Sequence, residues 1–235
     1  MSYTKRKQFL IVFAAFLILG IPFKVMVLIE GLTEVRPVNA IPPVAGLVCG
    51  PIGALACGVG NVVADLVGTF DWTSLLGLGS NMLAAYIPYR LWHIYSEEAP
   101  NVHTTRNILL YIMISFVAAL AVAWSLCFGL YYCFGQWMEQ IYTYIFFNNL
   151  GFSITLGLPV FIILTSDEIR VSCAGKPRYR LLKNRKLRKT VPVLYMLLMS
   201  VFLIAICCFH MEPAQFPLYH VLSGAGVVGL VLILI

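Results

Sequence analysis

Long apolar runs decide what this chain can fold into. They cover Gln8–Ile29, Thr73–Trp92, Asn107–Phe134, Ile141–Leu164, Val191–Phe209 and Tyr219–Ile235. A helix needs about 17–25 apolar residues to cross a bilayer, so each run reaches or approaches that length. The chain is 60% hydrophobic and 11% charged, with mean hydropathy +0.89, against about 25% charged in a soluble domain. It is therefore read as an integral membrane protein. The first run follows Lys5-Arg6-Lys7, as a signal peptide would. Its length, and the lack of a small-x-small site after it, make it a retained helix instead. The last run ends on apolar residues, as a complete short span or a truncated one.

The segment between the first two runs sets the topology. Residues 36–68 read RPVNAIPPVAGLVCGPIGALACGVGNVVADLVG, interrupted by Pro37, Pro42, Pro43 and Pro51. A basic run from Arg170 to Lys189 contains Arg170, Lys176, Arg178, Arg180, Lys183, Arg185, Lys186, Arg188 and Lys189. A single crossing by 40–68 would put Lys5-Arg6-Lys7 and this run on opposite sides, against the positive-inside rule. A double crossing that turns at Gly50-Pro51 puts both on the cytoplasmic side, together with 90–106. The loops 68–72 and 135–140, which carry no Lys or Arg, then face outward. Gly50 tolerates unusual dihedrals and Pro51 suits the first turn of a helix. The first arm, Ala40–Cys49, is about 15 Å long, so it must lie against protein rather than lipid. Pro42-Pro43 blocks a regular helix start further upstream. Gly46, Gly50, Ala54 and Gly58 recur every four residues. The helical part of this set offers a face for internal helix packing or for a partner subunit.

The intramembrane polar residues fall at one depth. Asn61 and Asp65 share a helix face. Asn81, Asn148 and Asn149 lie a similar distance from the outer ends of their helices, in the same layer as Trp124, Tyr131, Tyr132, Trp137, Tyr142 and Tyr144. Apolar walls with a few placed polar groups make a ligand pocket, although Asn also bridges helices and Trp and Tyr also form interfacial belts. The loop Glu30–Asn39, with Glu34, Arg36 and Asn39, is the natural lid, or a solvated connection. The cysteines are odd in number and scattered, and no CxxC, HExxH, GxSxG or Walker pattern is present. The sequence thus points to no disulfide framework, metal, cofactor or catalytic site. Ionisable relay residues are also absent from the helix centres, so nothing evident powers transport. The basic run is read as a cytoplasmic loop. Leaflet contact at about 1 kcal/mol per basic residue accounts for it, and nucleic acid is not expected.

On three stretches the chain resembles the substrate-binding (S) components of energy-coupling-factor (ECF) vitamin transporters, nearest the riboflavin-type branch. IPPVAGLVCGPIGALACGVGNVVADLVG (41–68) is similar to the family's short second helix, turn and small-residue third helix. GLGSNMLAAYIPYRLW (77–92) is similar to its fourth helix, and FFNNLGFSITLGLPVFIIL (146–164) to its sixth. The likeness covers roughly residues 8–170. It implies a six-helix bundle that captures a vitamin-like molecule from outside, energised by one ECF membrane subunit and two ATPase subunits. Asn81, Asn148 and Asn149 would then be ligand contacts under the lid.

The expectation is an all-α membrane protein: a six-helix S-component-like bundle with a short second helix over 1–169, a basic linker over 170–190, and one or two extra transmembrane helices over 191–235. Its substrate-binding residues are Glu34, Arg36, Asn39, Asn61, Asp65, Asn81, Trp124, Asn148 and Asn149. It is expected to be no enzyme and to sit in a bacterial plasma membrane with a cytoplasmic N-terminus. The rivals are a self-sufficient secondary carrier and a membrane enzyme acting on lipid or isoprenoid substrates.

Overall fold

A computed structural model describes residues 3–29, 33–68, 70–179 and 183–235. Glu30 and Arg180 lie outside the described residues, and Glu34 is placed by its backbone alone. Long helices dominate. Among the described residues, Tyr3–Lys24, Thr105–Phe134, Glu139–Thr165, Arg185–Phe209 and Pro217–Leu234 are long and apolar enough to cross a membrane. The chain is thus an all-α membrane protein with one small ribbon.

Helix α1 (Tyr3–Gly20) stops earlier than its apolar run suggests. Pro22 opens a 3₁₀ turn (Pro22–Val25), because proline has no N–H to donate and disfavours helix in the residue before it. A two-stranded antiparallel ribbon follows, Val27–Ile29 (β1) against Thr33–Glu34 (β2). The expected lid therefore carries backbone pairing of its own.

A second 3₁₀ turn (Pro37–Ala40) leads into α2 (Ile41–Cys49), whose start is fixed by Pro42-Pro43. Nine residues rise only about 14 Å, and Pro42 through Leu47 are all buried. The short helix is thus enclosed by protein, as its length requires. Gly50 takes φ 60° and ψ −136°, and Pro51 begins α3 (Pro51–Leu66). The reversal expected at this pair is present.

The small residues around the turn serve internal packing. A Cβ at Gly46 would lie 1.8 Å from the Ala85 carbonyl oxygen of α4 (Ser74–Tyr95), and one at Gly53 would lie 2.2 Å from the Ala45 oxygen of α2. These backbones meet directly, as small residues permit in a membrane where van der Waals contact drives association. Helix α4 packs on α2 and α3 and on α5 (Thr105–Phe134). It is long enough to span but less apolar than the other spans. Ser80, Asn81 and Arg90 are all buried in it, and a helix shielded by protein need not be apolar all round.

Helices α6 (Glu139–Phe152) and α7 (Leu158–Thr165) form one span, joined by a π turn over Ser153–Gly157. Pro159 accounts for the irregularity, since its missing N–H leaves the carbonyl one turn back without a helical donor. The basic linker then leads to α8 (Arg185–Phe209) and α9 (Pro217–Leu234), which pair with each other and pack on α4 and α5.

Candidate binding site beneath the lid

The site is built around two charges buried near one end of the bundle. Lys24, in the 3₁₀ turn after α1, pairs with Asp65 near the end of α3, with side chains 13% and 11% exposed. A buried charge costs several kcal/mol unless it is paired and hydrogen-bonded. The other Asp65 oxygen is also satisfied, because Asn61 Nδ2, one turn back on α3, donates to it at 2.9 Å. Asn61 is fully buried. Its amide lies against Gly77 of α4, where a Cβ would come within 2.5 Å of Nδ2.

Arg36 extends this network across the lid. Its guanidinium donates to Asn61 Oδ1 at 2.5 Å, and its backbone N–H donates to Asn148 Oδ1 of α6 at 3.2 Å. One residue of the segment between ribbon and α2 thus ties α3 to α6. A hydrogen bond involving a charged group contributes about 1.5–3 kcal/mol, so the contact acts as a latch. Both bonds are polar contacts of a kind that a competing polar molecule can make in their place.

Below the latch the lid rests on the π turn. Asn39 is buried, and its carbonyl accepts from the Ser153 hydroxyl at 3.4 Å. The Ser153 carbonyl in turn accepts from Tyr111 Oη at 3.1 Å. At Gly157 a Cβ would be 2.8 Å from Tyr111 Oη and 2.9 Å from the Ala40 oxygen. The turn therefore opens the helix surface where the chain entering α2 crosses it.

The expected residues whose side chains are described, all but Glu34, separate into three groups. Arg36, Asn61, Asp65 and Asn148 come together in one network, with Asn39 beside it. Asn81 and Asn149 are buried, but each donates its amide to a carbonyl one turn back on its own helix, Gly77 and Ile145, both at 2.9 Å. Trp124 lies elsewhere. Its ring packs against Gly226 of α9, where a Cβ would be 2.8 Å away. The other aromatics of the expected ring mostly follow it. Tyr131 and Trp137 contact Tyr219 of α9, and Tyr142 contacts Phe202 of α8. Sequence reasoning missed Lys24, Tyr111 and Ser153. For Lys24 the signal was one cation inside an otherwise apolar run, matched by one carboxylate, Asp65, in another.

The fold and this geometry together define an all-α membrane protein with a latched polar site at one end. Comparisons with protein-family models, curated proteins and solved structures find no match to this chain. Among the described residues no cluster of His, Cys, Asp and Glu suits a metal ion.

Proposed function

We propose that the chain is the substrate-specificity subunit of an ATP-driven importer of the ECF type, taking a small vitamin-like molecule from the outer side of a bacterial plasma membrane. The observation that carries this reading is Arg36, a lid residue bonded to amides on two different helices, α3 and α6. The Oδ1 atoms of Asn61 and Asn148, which accept from Arg36, offer two neutral acceptors suited to the N–H groups of a heterocycle, and apolar helices wall them in. The sequence resemblance to S components points the same way.

Capture then proceeds by exchange. Arg36 leaves Asn61, the ligand takes its place, and the ribbon segment folds back over the ligand. Lys24 and Asp65 stay paired and hold the mouth of α1 against α3 throughout. Energy comes from a membrane subunit and two ATPase subunits, as the resemblance to S components implies.

The test is thermal unfolding of purified protein against a panel of water-soluble vitamins and related heterocycles, with uptake measured in vesicles. The reading predicts that one class raises the melting temperature and that uptake needs the ATPase partners. Well-folded protein with no shift across the panel, or uptake driven by an ion gradient alone, would contradict it.

A further inference from the structure

The end of the bundle away from the lid holds the basic linker. Tyr95, Arg106 and Lys189 meet there through hydrogen bonds from Tyr95 Oη to the Lys189 carbonyl and from Arg106 to the Tyr95 carbonyl. Beside them is a cavity of about 340 Å³ whose lining includes His93, Tyr95, Lys176, Tyr179, Arg185 and Arg188. Nothing in the capture cycle uses it. We propose that this cavity binds an anionic phospholipid, with the phosphate against Lys176 and Arg188 and the acyl chains in the bilayer beside α8.

The cavity is preformed rather than a loose patch of charge. Its floor is Tyr179, whose ring carries Arg90 at 4.4 Å and Arg188 at 4.7 Å. Arg90 is 3% exposed and is fixed by the carbonyls of Arg178 at 2.7 Å and Ile233 at 3.2 Å. Tyr179 Oη donates back to the Arg90 carbonyl at 2.9 Å. Burial pushes the Tyr179 hydroxyl up to about 12, so it stays neutral beside these cations.

The charge is also unbalanced. Glu97 pairs with Arg185 at 2.8 Å, while Lys176 and Arg188 have no carboxylate partner among the described residues. The His93 ring gives one nitrogen to the Ala174 carbonyl at 3.1 Å, and its Nδ1 is buried with no hydrogen-bond partner among the described residues. A phosphate supplies the missing countercharge.

The position of the cavity favours a lipid as the source of that phosphate. Arg185 and Arg188 stand in the first turn of α8, which is long and apolar enough to cross a membrane, so the cavity opens at the depth of lipid headgroups. Leu187, Leu194 and Val201, 51%, 58% and 58% exposed, recur every seven residues on the side of α8 turned away from these arginines. A free phosphate would use the cations alone, whereas a lipid is also held by its acyl chains in the bilayer.

The test titrates phosphatidylglycerol against phosphatidylcholine on the detergent-solubilised full chain, read by native mass spectrometry. One phosphatidylglycerol should be retained in clear preference to phosphatidylcholine. At about 1 kcal/mol per basic residue, Lys176→Gln should weaken retention about fivefold and the pair with Arg188→Gln by about 25-fold. Lys183→Gln with Lys189→Gln, outside the cavity, should change it less than twofold. Equal losses in the two pairs would overturn the proposal, because charge alone would then be the attractant. Displacement of the lipid by millimolar inorganic phosphate, with a rise in melting temperature that Lys176→Gln removes, would reassign the site to free phosphate and also overturn it. Lys176 is exposed and makes no hydrogen bond or ion pair among the described residues, so its single variant keeps the test valid if the double variant does not fold.

Discussion

The lid side and the seam where α8 and α9 meet the bundle are both buried, yet they are held by different forces. On the lid side, Lys24, Asp65, Asn61, Arg36 and Asn148 form a chain of polar contacts across α3, α6 and the ribbon segment. In the seam, Trp124 packs on Gly226, Tyr195 on Gly229, and Tyr142, Phe202 and Tyr219 stack edge to face or tilted. A polar contact can be handed to a competing molecule at little net cost, because the exchange conserves hydrogen bonds. A packed ring has no such substitute, since moving it leaves a void. The lid side is therefore held by contacts that can be exchanged, and the seam by contacts that cannot.

Breaking the charge pair should have the largest effect. Asp65→Ala removes the carboxylate from Lys24 and should destabilise the protein by about 3–5 kcal/mol, the usual cost of removing one partner of a buried pair. Thermal unfolding measures the loss, and Asp65→Asn with Lys24→Met should recover most of it. A small effect of Asp65→Ala would mean that water reaches the pair.

Filling the seam should come next. Gly226→Val pushes into the Trp124 ring and should cost about 1–3 kcal/mol, while leaving ligand-induced stabilisation unchanged if the two regions act independently. Loss of ligand response in this variant would join them.

Opening the latch should be milder in stability but visible in dynamics. Arg36→Gln should raise amide exchange over 35–40 about tenfold or more, since the charged hydrogen bond to Asn61 alone is the equivalent of about 1.4 kcal/mol. Exchange rates that do not move would show that the ribbon, not Arg36, holds the lid. The smallest change should come from Gly151→Ala. A Cβ there meets nothing within 4 Å, so a slight gain of about 0.5–1 kcal/mol is expected from helix propensity alone.

The same contrast explains what the sequence made legible. The Gly50-Pro51 reversal and the short α2 were readable because proline and glycine act through local backbone geometry. Asn61 and Asp65 were readable as neighbours because four residues make one helical turn. The direction of Trp124 was not, because α5 is apolar on every side and its pattern does not reveal its rotation. Asn81 and Asn149 turn their amides to carbonyls of their own helices; this was not legible, because nothing in a sequence says whether an amide faces a ligand or its own helix. Lys24 was hidden because Pro22 ends α1 inside an unbroken apolar run, and only the three-dimensional path brings it to Asp65. The lid ribbon was hidden for the same reason: Val27–Ile29 reads as a continuation of the helix.

Capture from outside requires the lid side and the basic linker to lie on opposite faces of the membrane. The most direct measurement uses single cysteines at Gln136→Cys and Lys183→Cys, in a chain whose own cysteines are replaced by serine or alanine. Sealed right-side-out vesicles are treated with a membrane-impermeant maleimide. The account predicts that position 136 labels at once and that position 183 labels only after the vesicles are opened. Equal labelling of both positions in sealed vesicles would contradict it.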